Sequence, residues 1–185
     1  MNAFLTDMIL SELEDAVGRE NCSARPIDKL THGVDYFWLS RMWSDRGERM
    51  PEADIIVSPK DAKETSKVLQ IANYYKLPVT TWGGGGGTQG GALPVAGGIL
   101  LDTKRMNRIY DVNTESMYIE CGTGAIYKHI EWAANENLIQ IRTGCMFGCR
   151  RCFDNIPIRQ DNLHLKNHIV NFTVFGRYNP DTAVR

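Results

Sequence analysis

The chain has 185 residues, with 21 Lys and Arg against 22 Asp and Glu, and 43% of its residues are hydrophobic. These values fit one or two compact domains and exclude wholesale disorder, which requires fewer apolar residues and more uncompensated charge. A formal net charge of -1 provides no basic field, so general binding of nucleic acid or of anionic membranes is not expected.

The sequence carries no sign of export or of membrane insertion. Its first twenty residues lack the basic flank and the uninterrupted apolar stretch of a secretory signal. No apolar run reaches the roughly eighteen residues that a membrane span needs. Five cysteines without an export signal are typical of reduced thiols in the cytosol. We therefore expect a cytoplasmic protein without a membrane span.

The N-terminal part contains one clear helical pattern and one irregular segment. Apolar residues recur at helical spacing, and Gly18 follows the last of them: Phe4, Leu5, Met8, Ile9, Leu13, Ala16 and Val17. Residues 32–51 are rich in aromatic residues and turn formers but have no clean period. We interpret them as an irregular arm, with Trp38 and Trp43 as core anchors.

A strand, helix and strand unit follows. Residues 53–58 (ADIIVS) predict a short buried strand, and Ser58 can cap a helix that begins at Pro59 and has Asp61 in its first turn. Residues 77–82 predict the returning strand, parallel to the first. Further strands are predicted at residues 97–103, 108–112 and 117–121, and a last helix at about residues 125–137.

The most informative segment is residues 82–94, WGGGGGTQGGALP. Each of its five consecutive glycines costs about 0.5–1 kcal/mol in chain entropy relative to Ala, so the run needs a physical reason. Residues without a Cβ can adopt positive φ and let successive backbone N–H groups converge on an anion such as a nucleotide diphosphate. Thr88 and Gln89 could add side-chain donors.

Two other interpretations of this loop are disfavoured. A glycine-rich tether normally joins separate domains, whereas this run lies between two predicted strands of one unit. Gly85, Gly87 and Gly90 satisfy the G-x-G-x-x-G pattern of dinucleotide-binding folds, but that fingerprint must open a helix. Here a strand follows, so the loop itself would hold the phosphates.

The ordered string of motifs resembles the flavin domain of FAD-linked oxidases, in its first half. The resemblance rests on the strand at residues 54–58, the helix after it, the segments LPVTTWGGGGGTQGGALP and GGILLDTKRMNRI, and the lead-in VDYFWLSRMWSDRGE. This is the family of the glycolate oxidase flavoprotein, D-lactate dehydrogenases and alkylglycerone-phosphate synthase, with the vanillyl-alcohol-oxidase type of fold. It covers about residues 28–138.

The resemblance implies an α+β fold, the first of two subdomains with FAD between them, built as a mixed sheet with flanking helices. It implies that one loop binds the FAD diphosphate, formed by Trp82, Gly83, Gly84, Gly85, Gly86, Gly87, Thr88, Gln89, Gly90 and Gly91. Trp82 stands where many members carry Arg, and Gly86 where many carry Thr or Ser, which removes side-chain donors. The implied reaction is hydride transfer from a small hydroxy acid to the flavin, although alkylglycerone-phosphate synthase uses its flavin without net redox.

The resemblance implies no catalytic residue, because the parts that would complete the site and bind substrate have no counterpart after Ile139. His129 on the last helix is interpreted as a solvated residue and Cys121 as a small buried apolar residue. We therefore expect a truncated protein that is inactive alone. The expected organisation is an N-terminal helix and lead-in over residues 1–27, a partial FAD-binding domain over residues 28–138 and a divergent, unrelated or disordered tail over residues 139–185.

The tail differs from the rest of the chain in composition. Residues 1–138 hold 14 basic and 19 acidic side chains, a net of -5, whereas residues 139–185 hold 7 and 3, a net of +4, and contain no Glu. A shifted reading frame or damaged gene would produce such a change, and residues 169–175 (IVNFTVF) could then still pair as an edge strand or aggregate.

The tail also leaves two metal hypotheses open. Cys145, Cys149 and Cys152 have the C-x3-C-x2-C spacing of radical S-adenosylmethionine enzymes, but too few residues follow for their barrel. A small zinc module is the other alternative, because two Cys and two His follow one another in nearly finger-like order. Its ligands would be Cys149, Cys152, His164 and His168.

Overall fold

Two sheets, five α-helices and one short 3-10 helix (Arg19–Asn21) make up the described part of the molecule. The computed structural model describes residues 3–116, residues 118–137 and the short strand at residues 172–173. The helices are α1 (Ala3–Val17), α2 (Pro26–Thr31), α3 (Trp38–Asp45), α4 (Ala62–Tyr74) and α5 (Tyr127–Glu136). The strands are β1 (Cys22–Ser23), β2 (Ile55–Val57), β3 (Val79–Trp82), β4 (Ile99–Asp102), β5 (Ile109–Asn113), β6 (Tyr118–Cys121) and β7 (Phe172–Thr173).

The first sheet has the order β1-β2-β4-β3. Strand β4 lies parallel to both β2 and β3, whereas β1 pairs with β2 in the antiparallel sense. The sheet is therefore mixed, as the resemblance implied, and helices flank it. The predicted strands and the parallel return are confirmed, with shorter bounds, while the two-residue strand β1 was not predicted.

The two faces of this sheet pack against different partners because side chains alternate along each strand. Ile55 and Val57 of β2 pack with the buried stripe of α1 and with α4, in a core that also contains residues of β4. The intervening Ile56 packs on the other face, in a cluster with Trp82 and Ala92. The segment that follows the glycine run therefore covers the sheet face opposite α1 and α4.

A second, smaller core lies beside the first sheet. Strands β5 and β6 form an antiparallel pair, and α5 packs on them through Ile130 and Ala134. Strand β6 also pairs with β7 in the antiparallel sense, so the edge strand expected within residues 169–175 is confirmed at Phe172–Thr173. The rest of residues 139–185 lies outside the described residues.

Two local predictions are wrong. The helix α4 is capped by Asp61, whose side chain accepts a hydrogen bond from the Glu64 backbone N–H at 2.9 Å, so the helix begins at Ala62 and Ser58 is not the cap. Ser and Asp are both good caps, and the path of the chain after β2 places Asp61, not Ser58, before the first turn of the helix. The Glu64 carboxylate also accepts a hydrogen bond from the Lys60 N–H at 2.9 Å, one residue before the cap, so the arrangement resembles a capping box that is shifted by one residue.

The aromatic segment at residues 32–51 is not wholly irregular, because α3 lies within it. Trp38 is 67% exposed and is therefore no core anchor, while Trp43 is half-buried. The buried residue at this point is Ser40, whose hydroxyl donates to Asp35 at 3.0 Å. Polar contacts rather than rings thus hold the start of α3.

None of the helices in the described part of the chain has the length and apolar composition that crossing a bilayer requires.

Candidate functional site

The glycine loop, residues 83–91, begins at the carboxyl end of β3, and the chain then returns to the start of the neighbouring strand β4. The carboxyl ends of β2, β3 and β4 lie at the same edge of the sheet because the three strands are parallel. Open α/β sheets bind their ligands at this edge. The loop is therefore not a tether between separate bodies.

The structure brings all of the predicted site residues together in this one loop and at its base. Trp82, Gly83 and Gly85 are buried, while Gly84, Thr88, Gln89 and Gly91 are exposed. Gly86, Gly87 and Gly90 are half-buried. The loop thus has an inner side, which packs on the domain, and an outer side that a ligand can reach. Its role in binding remains a prediction.

The backbone requires glycine at two positions of the loop. Gly85 has a φ of 63° and Gly90 a φ of 76°, in the region that L side chains rarely adopt. An added Cβ at Gly85 would lie 2.5 Å from Cζ2 of Trp82, and one at Gly90 would lie 3.0 Å from a ring carbon of Phe37. No helix follows before β4, which agrees with the rejection of the G-x-G-x-x-G interpretation.

A small charged cluster lies at the end of β4, beside the base of the loop. Asp102 is buried, its Oδ2 lies 3.6 Å from Nε2 of His32, and the Lys104 ammonium lies 3.3 Å from the same oxygen. Burial alone would raise the pKa of Asp102, but His32 and Lys104 outweigh it and hold the pKa below its usual value. Asp102 is therefore a carboxylate at neutral pH.

The ring of His32 also contacts Trp82. The two ring centroids are 5.0 Å apart with an interplanar angle of 62°, an edge-to-face arrangement. Trp82 is only 5% exposed. The Trp82 side chain therefore contacts both Gly85 in the loop and His32, the residue that follows α2.

Three buried polar atoms in the described part of the chain lack a hydrogen-bond partner: Nε2 of His32, Oδ2 of Asp35 and Oγ1 of Thr123. Thr123 precedes Gly124, whose N–H donates to Met106 just after β4. Such atoms are uncommon in native interiors and call for an explanation such as an absent ligand or water.

Sequence reasoning missed these three residues. His32 and Asp35 fall in the segment without periodicity, so no pattern predicts where their side chains lie. Thr123 had a signal in the sequence, because it stands between two glycines in the stretch CGTG, and paired glycines indicate a close backbone approach.

Comparison with known families decides what this arrangement belongs to. The sequence profile of the FAD binding domain matches residues 53–149, more than half of the chain. The chain belongs to this family. The match contains β2 to β6, the glycine loop and α5, and it extends past Ile139, where the resemblance was expected to stop.

Named relatives of this FAD binding domain are oxidoreductases. The chain is 36% identical over 86 residues to D-lactate dehydrogenase of Archaeoglobus fulgidus, covering 46% of the chain and 19% of the relative. It is 25% identical over 122 residues to the GlcD subunit of glycolate oxidase from Bacillus subtilis, covering 66% and 24%. The chain therefore spans about a fifth to a quarter of the length of these relatives.

Solved structures agree on the fold. An alkyldihydroxyacetonephosphate synthase superposes with a TM-score of 0.66 at 20% identity, covering 73% of the chain and 26% of that protein. A substrate-bound p-cresol methylhydroxylase superposes with a TM-score of 0.59 at 18% identity, covering 74% and 26%. The expected family and fold class are confirmed.

The cofactor of this family is FAD, as expected, and the residues present fit it. At Gly85 and Gly90 a Cβ would meet Trp82 and Phe37, so the loop packs closely on the domain at these two positions. Its exposed positions, Gly84 and Gly91, leave the backbone open to a ligand. The loop offers backbone amides and the exposed side chains of Thr88 and Gln89, a set of donors that suits a diphosphate held by the backbone.

The remaining candidates are not part of this site. Within residues 3–116 and 118–137, no group of three or more His, Cys, Asp or Glu could hold a metal. The metal hypotheses on Cys145, Cys149, Cys152, His164 and His168 lie outside the described residues. Burial raises the pKa of the Cys121 thiol to about 11, so it is an inert buried residue, and His129 is exposed on α5.

Proposed function

We propose that the glycine loop of this chain binds the diphosphate of FAD, and that the chain supplies one wall of a flavin site in a cytoplasmic oxidoreductase. The observation that carries the proposal is the position of the loop at the shared carboxyl edge of three parallel strands, with Gly85 and Gly90 in the left-handed region. Backbone in that conformation can present N–H groups to an anion.

The capping of α4 supports the loop as the anion site. A helix N-terminus at the same edge of the sheet would otherwise compete for the diphosphate. Here Asp61 accepts a hydrogen bond from the Glu64 N–H in the first turn, and Glu64 accepts one from the Lys60 N–H just before the helix, each at 2.9 Å. Glu64 also pairs with the Lys60 ammonium at 2.9 Å. Two carboxylates at this helix end repel a phosphate, so the loop is the better binding element.

We further propose the reaction class. Bound FAD would accept a hydride from the C–H of a small hydroxy acid, in keeping with relatives that are named for lactate and glycolate. This chain's residues would bind and orient the dinucleotide, and we assign none of them a catalytic role. Since the chain spans only a fifth to a quarter of those relatives, we propose that these residues alone do not oxidise a hydroxy acid.

The test is retention of FAD by the purified chain. The protein is mixed with FAD and desalted, and its visible absorbance is recorded. We expect flavin to be retained by the native chain and lost from Gly85→Asp, because the new side chain collides with the Trp82 indole and distorts the loop. The matched control is Gly47→Asp, because Gly47 also has positive φ, at 70°, but an added Cβ there meets nothing within 4 Å.

Each outcome separates the alternatives. A colourless native protein, or equal retention by both Asp variants, would contradict diphosphate binding by the loop. A zinc module in the tail requires instead about one zinc per chain, lost in Cys149→Ala or His168→Ala. A noncatalytic remnant predicts neither flavin nor zinc, together with weakly cooperative thermal unfolding.

A further inference from the structure

The shape of the glycine loop depends on what lies beneath Gly85. An added Cβ there would lie 2.5 Å from Cζ2 and 2.9 Å from Cη2 of Trp82, which are atoms of the six-membered ring of the indole. The indole therefore occupies the space directly under the left-handed turn at Gly85. Any movement of this ring changes the support of the loop.

The indole in turn rests against His32, which is held from two sides. Nδ1 of His32 lies 2.8 Å from the Asp28 carbonyl oxygen, and since a carbonyl has no proton to give, Nδ1 is the donor. Nε2 faces the Asp102 carboxylate at 3.6 Å, within ion-pair range but too long for a hydrogen bond. These contacts fix the plane of the imidazole, and with it the edge that meets Trp82.

The anchor of His32 extends to the first sheet. Asp28 accepts hydrogen bonds from the hydroxyl of Ser23 on β1 and from Nε of Arg25 at 2.8 Å. Helix α2, which ends one residue before His32, is thereby tied to β1. A continuous series of contacts thus runs from β1 through Asp28 and His32 to the ring under Gly85.

A purely space-filling role does not account for this histidine. Its Nε2 is buried and has no hydrogen-bond partner, and an apolar side chain of similar size would fill the space without that cost. The imidazole is instead held in one orientation by the bond from Nδ1 and by the Asp102 carboxylate. A ring fixed in this way can in turn fix the orientation of the Trp82 indole that it contacts.

We propose that His32 is a positioning residue for the glycine loop: it holds the Trp82 indole under Gly85, so that the loop keeps its dinucleotide-binding shape before a ligand arrives. The proposal rests on the function proposed above, in that the dinucleotide is FAD. His32 acts through Trp82 and does not touch the ligand. Its effect on binding comes from preorganisation of the loop.

The test is a double-mutant cycle in the full chain with FAD as the probe. We expect His32→Leu to weaken FAD binding about tenfold, because the loop must then be ordered when FAD binds, and Trp82→Leu to weaken it at least as much. In the Trp82→Leu background, His32→Leu should have no further effect, since the residue through which it acts is gone. If His32 contacted FAD directly, its full effect would persist there, and the proposal would be wrong.

A second measurement does not depend on FAD. Hydrogen exchange of the peptide covering residues 83–91, read by mass spectrometry, should be faster in His32→Leu, and the emission of the shielded Trp82 should shift. His32→Gln should partly restore both, because its amide can still reach Asp102. The matched control is His129→Leu, which removes another histidine and tryptophan ring contact, 5.5 Å from Trp132 on α5, and should leave the loop unchanged.

The two proposals fail separately. If the native chain binds no FAD but His32→Leu still loosens the loop, the proposed function is wrong and the positioning role of His32 stands. If FAD binds equally well to both proteins and the exchange of residues 83–91 is unchanged, the positioning role is wrong and the proposed function stands. If His32→Leu does not fold, His32→Gln and Trp82→Phe decide through the same two measurements.

Discussion

Two groups of glycines meet near the carboxyl edge of the first sheet, and they are required for different reasons. In the glycine loop, a Cβ at Gly85 would collide with the side chain of Trp82. Beside β6, a Cβ at Gly124 would lie 1.9 Å from the backbone oxygen of Thr103, and Gly122 makes a similar backbone approach. A side chain can move or be exchanged, whereas a backbone segment fixed between two cores cannot. Gly122 and Gly124 should therefore tolerate substitution less well than the glycines of the glycine loop.

The largest effect is expected from Gly124→Ala. The new methyl group must push the second core, β5, β6 and α5, away from the end of β4, because the Gly124 N–H is bonded to Met106 at 2.9 Å. We expect a loss of about 3 kcal/mol or more in the free energy of unfolding, at the upper end of overpacking costs. Urea unfolding of the purified chain measures it, with loss of soluble protein as the extreme result.

The control for this prediction is Gly47→Ala. Gly47 has a φ of 70° and no neighbour within 4 Å of an added Cβ, so its substitution reports only the backbone cost, about 1 kcal/mol. If Gly124→Ala is no less stable than Gly47→Ala, the backbone between the two cores can move to make room for a methyl group. The claim that Gly124 tolerates substitution less than the loop glycines would then be wrong.

A smaller effect is expected from Gly85→Ala. Positive φ contributes about 1 kcal/mol, and displacement of the Trp82 indole should raise the total to about 2 kcal/mol. Because the obstacle is a side chain, Trp82→Leu should relieve part of the cost, with a coupling of about 1 kcal/mol in a double-mutant cycle. Strictly additive effects in urea unfolding would mean that the indole does not shape the loop.

The sequence predicted the frame of the site well, for physical reasons that are local. Apolar alternation and helical spacing indicated β2, α4, β3 and β4, and five glycines between two strands indicated a loop at the sheet edge. These signals need no knowledge of distant contacts. The cap of α4 was misplaced by three residues because Ser58 and Asp61 are both good caps, and only the path of the chain after β2 decides between them.

The residues that complete the site could not be predicted, because each depends on long-range packing. His32 reaches Trp82 and Asp102 across fifty to seventy positions of sequence, and nothing in its own surroundings indicates this. Trp38 shows the opposite error, since its aromatic character predicted burial and the structure leaves it 67% exposed. Composition alone cannot tell an anchoring ring from a surface ring.

Asp102→Asn tests how much the charged cluster at the base of the glycine loop contributes to stability. The folded-state pKa of Asp102 lies below its unfolded value, so its charge stabilises the fold above the unfolded pKa of about 3.9, and this contribution is lost as the pH falls through the folded value. We expect the variant to be less stable by about 1 kcal/mol at pH 7, with the difference shrinking below about pH 4. Urea unfolding at pH 7, 5 and 3 measures this trend.

The control for Asp102→Asn is Asp45→Asn, at the exposed end of α3. This variant also removes one carboxylate, but Asp45 is not part of the charged cluster at the end of β4. An equal loss of stability in both variants, or a difference that grows on acidification, would contradict the assignment of Asp102 as a stabilising carboxylate.

The smallest effect is expected far from both glycine regions, where Tyr75 joins α4 to α1. Its hydroxyl donates to the Glu12 carboxylate at 2.6 Å, and this bond, followed by burial, raises the pKa of Tyr75 to about 12. Since the folded-state pKa is raised, the stabilisation is complete below the unfolded pKa of about 10 and is lost as the pH rises through about 12. Spectrophotometric titration should show a tyrosine ionisation near pH 12 that is absent in Tyr75→Phe.

FAD retention should be the same in Tyr75→Phe as in the native chain, because the contact between Tyr75 and Glu12 lies on the face of the sheet opposite the segment that follows the loop. A change in retention would mean that α1 and α4, and not only the base of the loop, determine how the site binds FAD.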